Sequence, residues 1–110
     1  MRRDNDPEPV TASILRVFEA IDKLGPQPHI LDTRGVILTR LGRLDEAVKD
    51  LETATRVVPT GPILFHLARA YQKQGRTDDF RKARDRARAA GLVAEQLQPG
   101  EREEWAKTAD

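Results

Sequence analysis

The sequence contains no cysteine, and that one absence removes disulfides, thiolate metal centres and thiol nucleophiles together. It also fits a reducing compartment. Aromatic residues are scarce, with one Trp, one Tyr and three Phe among 110 positions. A core with so few large side chains has to be filled by Leu, Ile, Val and closely packed Ala, which suits helices more than a β-sandwich. There is no excess of charge: nineteen Lys and Arg face eighteen Asp and Glu, for a net charge of +1. Such balance is unlike a general polyanion binder. No apolar run approaches the roughly 18 residues of a membrane helix. Met1-Arg2-Arg3-Asp4-Asn5-Asp6-Pro7 has no apolar stretch behind its arginines, so it reads as a solvated lead-in, not as a secretory leader. A cytoplasmic location is expected. Fourteen arginines against five lysines point to a GC-rich bacterial source.

The residues that carry chemistry are equally thin. Ser13 is the only serine, and no Gly-x-Ser-x-Gly elbow surrounds it. His29 and His66 are far apart and belong to no metal-ligand spacing, so they read as surface or groove-edge histidines. The seven glycines are scattered at helix ends and form no phosphate-cradling loop. An enzyme is not expected, nor a metal or other cofactor.

Against these absences stands a strong helical pattern. Val10, Ile14, Val17, Phe18, Ile21 and Leu24 recur at helical spacing until Gly25-Pro26-Gln27-Pro28 stops them. Leu31, Gly35, Leu38 and Leu41 form the next stripe, closed by Gly42. Leu44, Ala47, Val48, Leu51, Ala54 and Val58 follow, closed by Pro59 and Gly61. Then come Leu64, Leu67, Ala68 and Tyr71 before Gly75, and Phe80, Ala83, Ala87 and Ala90 before Gly91. Gly42 and Gly75 sit where a chain leaving a helix needs a left-handed residue, and Pro62 falls in a first turn, where its missing N–H costs nothing. Thr77 with Asp78 and Asp79 reads as an N-cap and acidic first turn. Helices joined by such short turns must fold back as antiparallel hairpins.

The punctuation also repeats. A shift of 33 positions places Leu31 on Leu64, Gly35 on Ala68, Leu38 on Tyr71, Gly42 on Gly75, Arg43 on Arg76 and Ala54 on Ala87. A helix–turn–helix recurring at this period is a solenoid signature. Gly35 and Ala68, with Ala47, Ala54 and Ala87, provide the small surfaces that let neighbouring helices approach closely.

On these residues the chain resembles the tetratricopeptide-repeat family, whose pattern runs large apolar, Leu, Gly or Ala, Tyr-like, then Ala, Phe-like, Ala and Pro. One repeat, 28–60, supplies Leu31, Gly35, Leu38, Ala47, Leu51, Ala54 and Pro59 and departs at Arg34. The other, 61–93, supplies Leu64, Leu67, Ala68, Tyr71 and Ala87 and departs at Phe80 and Arg84. The resemblance implies an all-α array of helix hairpins with a C-terminal capping segment. Residues 1–9 would be a flexible lead-in and 10–27 the second helix of a preceding repeat. The segment 94–110 would be a cap in which Pro99 opens a short helix, 101–107, with Trp105 as a lid on the last hairpin. Ligand stacking is the alternative use of Trp105. Glu101, Glu103 and Glu104 favour the start of that helix through its dipole. Two and a half repeats leave one flank of helix 10–24 bare. That flank is expected to meet either the rest of a longer array or a second copy, with Phe18→Asp as the monomerising change.

The resemblance further implies a concave groove for a peptide or partner protein, lined by Asp32, Val36, Thr39 and Arg40, then Phe65, Arg69, Gln72 and Lys73. Arg40, Arg69 and Lys73 would converge on an acidic or C-terminal carboxylate ligand over Phe65 as an apolar floor. Asp32, Val36, Phe65 and Arg69 stand where chaperone-binding members carry their Lys/Asn carboxylate clamp, so heat-shock-protein tails are not the expected ligand. The expected function is a non-catalytic scaffold module. Homo-oligomerisation and regulation of a fused domain are the alternatives. The stretch 69–88 holds eight Arg and Lys against three Asp. Without interleaved aromatics it reads as a solvated face with local pairing, not as a nucleic-acid surface.

Overall fold

In the computed structural model, which describes residues 10–25 and 27–108 (backbone alone at 10–14, 22 and 24), every regular element is a helix. These are α1 (Val10–Leu24), α2 (Pro28–Arg40), α3 (Leu44–Val57), α4 (Gly61–Lys73), α5 (Thr77–Ala89), a short 3-10 turn (Ala94–Gln96) and α6 (Pro99–Lys107). The lead-in 1–9, Pro26, the last two residues and the expected roles of Val10, Ile14 and Leu24 lie outside what is described.

The 33-residue spacing is present in the backbone itself. Gly42 and Gly75 both take positive φ, 80° and 77°. The N–H of Arg43 bonds Leu38 O and that of Gly42 bonds Thr39 O, and the same two bonds run from Arg76 to Tyr71 and from Gly75 to Gln72. This pair of bonds satisfies carbonyls that a helix end leaves open, and it requires a left-handed residue that only Gly adopts freely. Gly91, with Leu92 N–H on Ala87 O, ends α5 in the same way.

Three-residue turns fold α3 back on α2 and α5 back on α4. Leu31 meets Ala54, Arg34 meets Asp50 and Leu38 meets Ala47, a ladder that runs antiparallel. Tyr71 and Ala83 share one buried cluster, and Leu64 and Ala87 share the next. The four largest fully buried side chains are Phe65, Leu38, Leu51 and Leu64. Tyr71 is buried too, and its hydroxyl donates to Glu52 on α3, tying the two hairpins together. Burial, reinforced by that carboxylate, pushes the phenol's pKa up.

Local capping differs from the sequence reading in one place. The residue before α5 is Arg76, not Thr77, and Arg76 pairs with Asp79 in the first turn. Thr60 is the capping residue of α4, its hydroxyl accepting from Ile63 N–H.

Gly35 is buried, but the atoms it faces belong to a side chain, not to a neighbouring backbone. A Cβ there would come within 2.5 Å of Leu51 Cγ, and Leu51 has no exposed surface. Gly35→Val should therefore cost about 2 kcal/mol by overpacking. The additional change Leu51→Ala should recover part of that loss, because it empties the colliding volume. Denaturant unfolding of the single and double variants measures the coupling, and purely additive losses would contradict the contact.

Candidate functional site: the α2–α4–α6 face

Helices α2, α4 and α6 are linked side by side through polar contacts centred on His66. Its Nδ1 lies 2.7 Å from Asp32 Oδ1 on α2, and its Nε2 lies 2.7 Å from Glu101 Oε2 on α6. Both ring nitrogens can donate only in the imidazolium form. Burial works against that charge, but the hydrogen bond and charge of Asp32, followed by those of Glu101, outweigh it and raise the pKa above the ordinary 6.5. His66 is thus a half-buried cross-brace at the edge of a cleft, not a surface histidine. Glu101 is buried and does more than complement a helix dipole. Its second oxygen accepts Gln98 N–H, and Gln98 caps α6.

Further contacts seat α6. Glu104 Oε2 lies 2.7 Å from Arg69 Nε, although the Arg69 N–H is not directed at that oxygen or at any other acceptor. The distance makes this an ion pair; the orientation leaves a buried donor unsatisfied. Trp105 stands edge-on to Phe65, with ring centroids 5.6 Å apart, and Arg88 lies over its indole ring. At the end of α6, Arg84 and Arg88 donate to Thr108 O, where the helix dipole is negative. Arg84 therefore closes the C-terminal end of α6 while stacking on Phe80.

The eight residues expected to line a groove do not come together in one place. Val36, Thr39, Arg40 and Arg69 line one shallow cleft between α2 and α4, and His66 joins them there. Within it Thr39 is buried and its hydroxyl donates to Gly35 O, so it is a wall of the cleft and not a ligand group. Asp32 is engaged by His66. Phe65 is not an open apolar floor. It is 1% exposed, packed among Leu64, Ala87, Leu92 and Leu97 and covered by Trp105. Gln72 belongs to a separate hollow of about 450 Å³ with Arg81, Arg84 and Lys107, and Lys73 borders another with Arg43 and Arg76. The expected convergence of three cations thus reduces to Arg40 and Arg69.

Arg34, which stands where the repeat pattern expects an apolar residue, makes two bonds to buried Asp50, at 2.6 and 2.7 Å, and its guanidinium lies over the Phe18 ring. Phe18 accordingly faces the α2–α3 hairpin beside Leu38, which makes it a poor choice for probing self-association. Among the described side chains of α1, Leu15 is the large apolar one that is exposed. Along 69–88, Arg69, Arg76, Arg81, Arg84 and Arg88 each have a carboxylate within 4.0 Å. Among the described residues no cluster of His, Asp and Glu is arranged to hold a metal, and no helix is long and apolar enough to cross a membrane.

Sequence reasoning missed His66, Asp50 and Glu101 as partners. Only Glu101 carried a local signal, the three-residue spacing from Gln98 that marks a capping box. Compared with models of known families, with curated proteins and with solved structures, the chain returns no match.

Proposed function

We propose that this chain is a non-catalytic protein-interaction module of tetratricopeptide-repeat type that holds an acidic segment of a partner against α2 and α4. The observation carrying this reading is the chemistry the face already accepts. Carboxylates sit on His66 and Arg69, and the exposed Arg40 shares their cleft. The 33-residue recurrence of both turns supports the repeat assignment. A guanidinium meeting a carboxylate there gains paired, charge-assisted bonds.

Arg40 is the informative position. Arg69 also anchors α6, so changing it alters the fold and the site together. Arg40→Glu should reduce capture of an array of Glu-rich peptides by about tenfold, the loss of one charge-assisted bond, while the thermal midpoint stays unchanged. Undiminished capture would remove α2 from the site.

Self-association through α1 is the second reading, favoured by exposed Leu15 and, separately, by an apolar hollow that Val17, Ala20 and Ile30 help to line. Under that reading Leu15→Asp should hold the chain at monomer mass in light scattering at concentrations where the parent self-associates. A parent that remains monomeric throughout would dispose of it.

A further inference from the structure

We propose that α6 is a placeholder bound in cis, and that the α4 face is shaped for a partner helix presenting two carboxylates one turn apart followed directly by an aromatic ring. This rests on the interaction-module reading above and names the ligand class for the α4 half of the site.

Three side chains on one turn of α6 make the contacts. Glu101 reaches His66, Glu104 reaches Arg69, and Trp105 covers Phe65. His66, Arg69 and Phe65 lie together on α4, so the face reads a Glu-x-x-Glu-aromatic pattern on whatever helix lies against it. Charge complementarity selects the occupant. The face presents one imidazolium and one guanidinium, and α6 meets them with two carboxylates.

The fit is good enough to define the chemistry and poor enough to be exchanged. α6 has nine residues, fewer than the roughly 12–15 that make a helix persist by itself. Trp105 is its only large apolar anchor, since Ala106 is exposed. Glu104 is nearly half exposed, with side-chain exposure of 46%, and the Arg69 N–H it should receive points elsewhere. A partner helix able to turn its carboxylate into line with that N–H would satisfy a donor that α6 leaves open. Leu97 stays packed on the hairpin as the tether from which α6 would swing. A tether this short gives α6 an effective concentration of order millimolar, which sets the affinity a competitor must overcome.

The chain supplies its own reporter, because Trp105 is the only tryptophan. The probe is a fluorescein-labelled synthetic peptide of residues 96–108 carrying Trp105→Phe, titrated into the full wild-type chain and into its Trp105→Ala variant. In the wild type, peptide anisotropy and a red shift of Trp105 emission should saturate together. The variant, with helicity checked by circular dichroism, should bind the peptide at least about tenfold more tightly, because its α6 competes less well. A peptide with both glutamates replaced by lysine should not bind. Binding with unmoved Trp105 emission would overturn the placeholder assignment while leaving the interaction-module reading intact. No binding to either chain would overturn the acidic-helix chemistry of α4, whereas the Arg40→Glu experiment independently tests α2. Emission shifting with protein concentration alone, as mass doubles, would mean that two copies exchange α6 and would overturn the assignment to a separate partner.

Discussion

His66→Ala should destabilise the chain by about 3–5 kcal/mol at pH 6, the cost of breaking a mostly buried charge pair and leaving its partners uncompensated. The lost imidazolium is what allows Asp32 and Glu101 to face each other across α4. Against a total stability of about 5–15 kcal/mol, such a loss would bring the chain close to unfolding near room temperature. The pH dependence has a definite sign. The folded-state pKa of His66 is raised, so its contribution is complete below the unfolded value of 6.5 and disappears as pH rises through the raised value. The parent should therefore melt at a lower temperature at pH 9 than at pH 6, and His66→Gln should flatten that difference. The cost of His66→Ala should likewise be smaller at pH 9. Thermal melts followed by far-UV circular dichroism at the two pH values decide the matter. An equal cost at both would mean that the brace does not depend on charge.

Phe65→Ala should be of comparable size, about 3–5 kcal/mol, because it empties a fully enclosed aromatic site. Its effect should extend beyond stability. Phe65 is the surface on which Trp105 rests, so Trp105 emission should move to longer wavelengths in the folded variant, well below its melting transition. Phe65→Leu should retain most of the stability by conserving volume approximately, yet still forfeit the edge-on ring contact, worth about 0.5–1.5 kcal/mol. A variant whose tryptophan spectrum stays unchanged would show that α6 holds its place through its polar contacts without the Phe65 ring.

The helices and turns were legible because their causes are local. Apolar spacing marks the buried stripes, although Leu41 and Ala90 at their ends are exposed, and Gly42 and Gly75 mark ends where only a left-handed residue closes the last turn. Gly35 could be read as a close-packing position for the same reason, although the sequence could not say that Leu51, rather than a backbone, fills the space. Trp105 was recognisable as a lid because a lone large anchor after the last hairpin has few other uses.

The polar cross-links were not legible. Arg34 with Asp50, His66 with Asp32 and Glu101, and Tyr71 with Glu52 each depend on how far one helix is rotated against the next. No spacing within a single helix encodes that rotation. The same gap explains the error at Phe65. The family resemblance implies an open groove at its position, and that resemblance does not foresee the acidic segment after Pro99 lying across it.

The antiparallel ladders have a kinetic meaning. Leu38 finds Ala47, Leu31 finds Ala54 and Leu64 finds Ala87 across short stretches of chain, so little loop entropy is lost before packing begins to compensate. Such low contact order belongs with folding times of microseconds to milliseconds. Each hairpin can then form as soon as its own residues leave the ribosome, without waiting for distant sequence, and the aggregation-prone interval in which Leu51 and Leu64 stand uncovered is correspondingly brief.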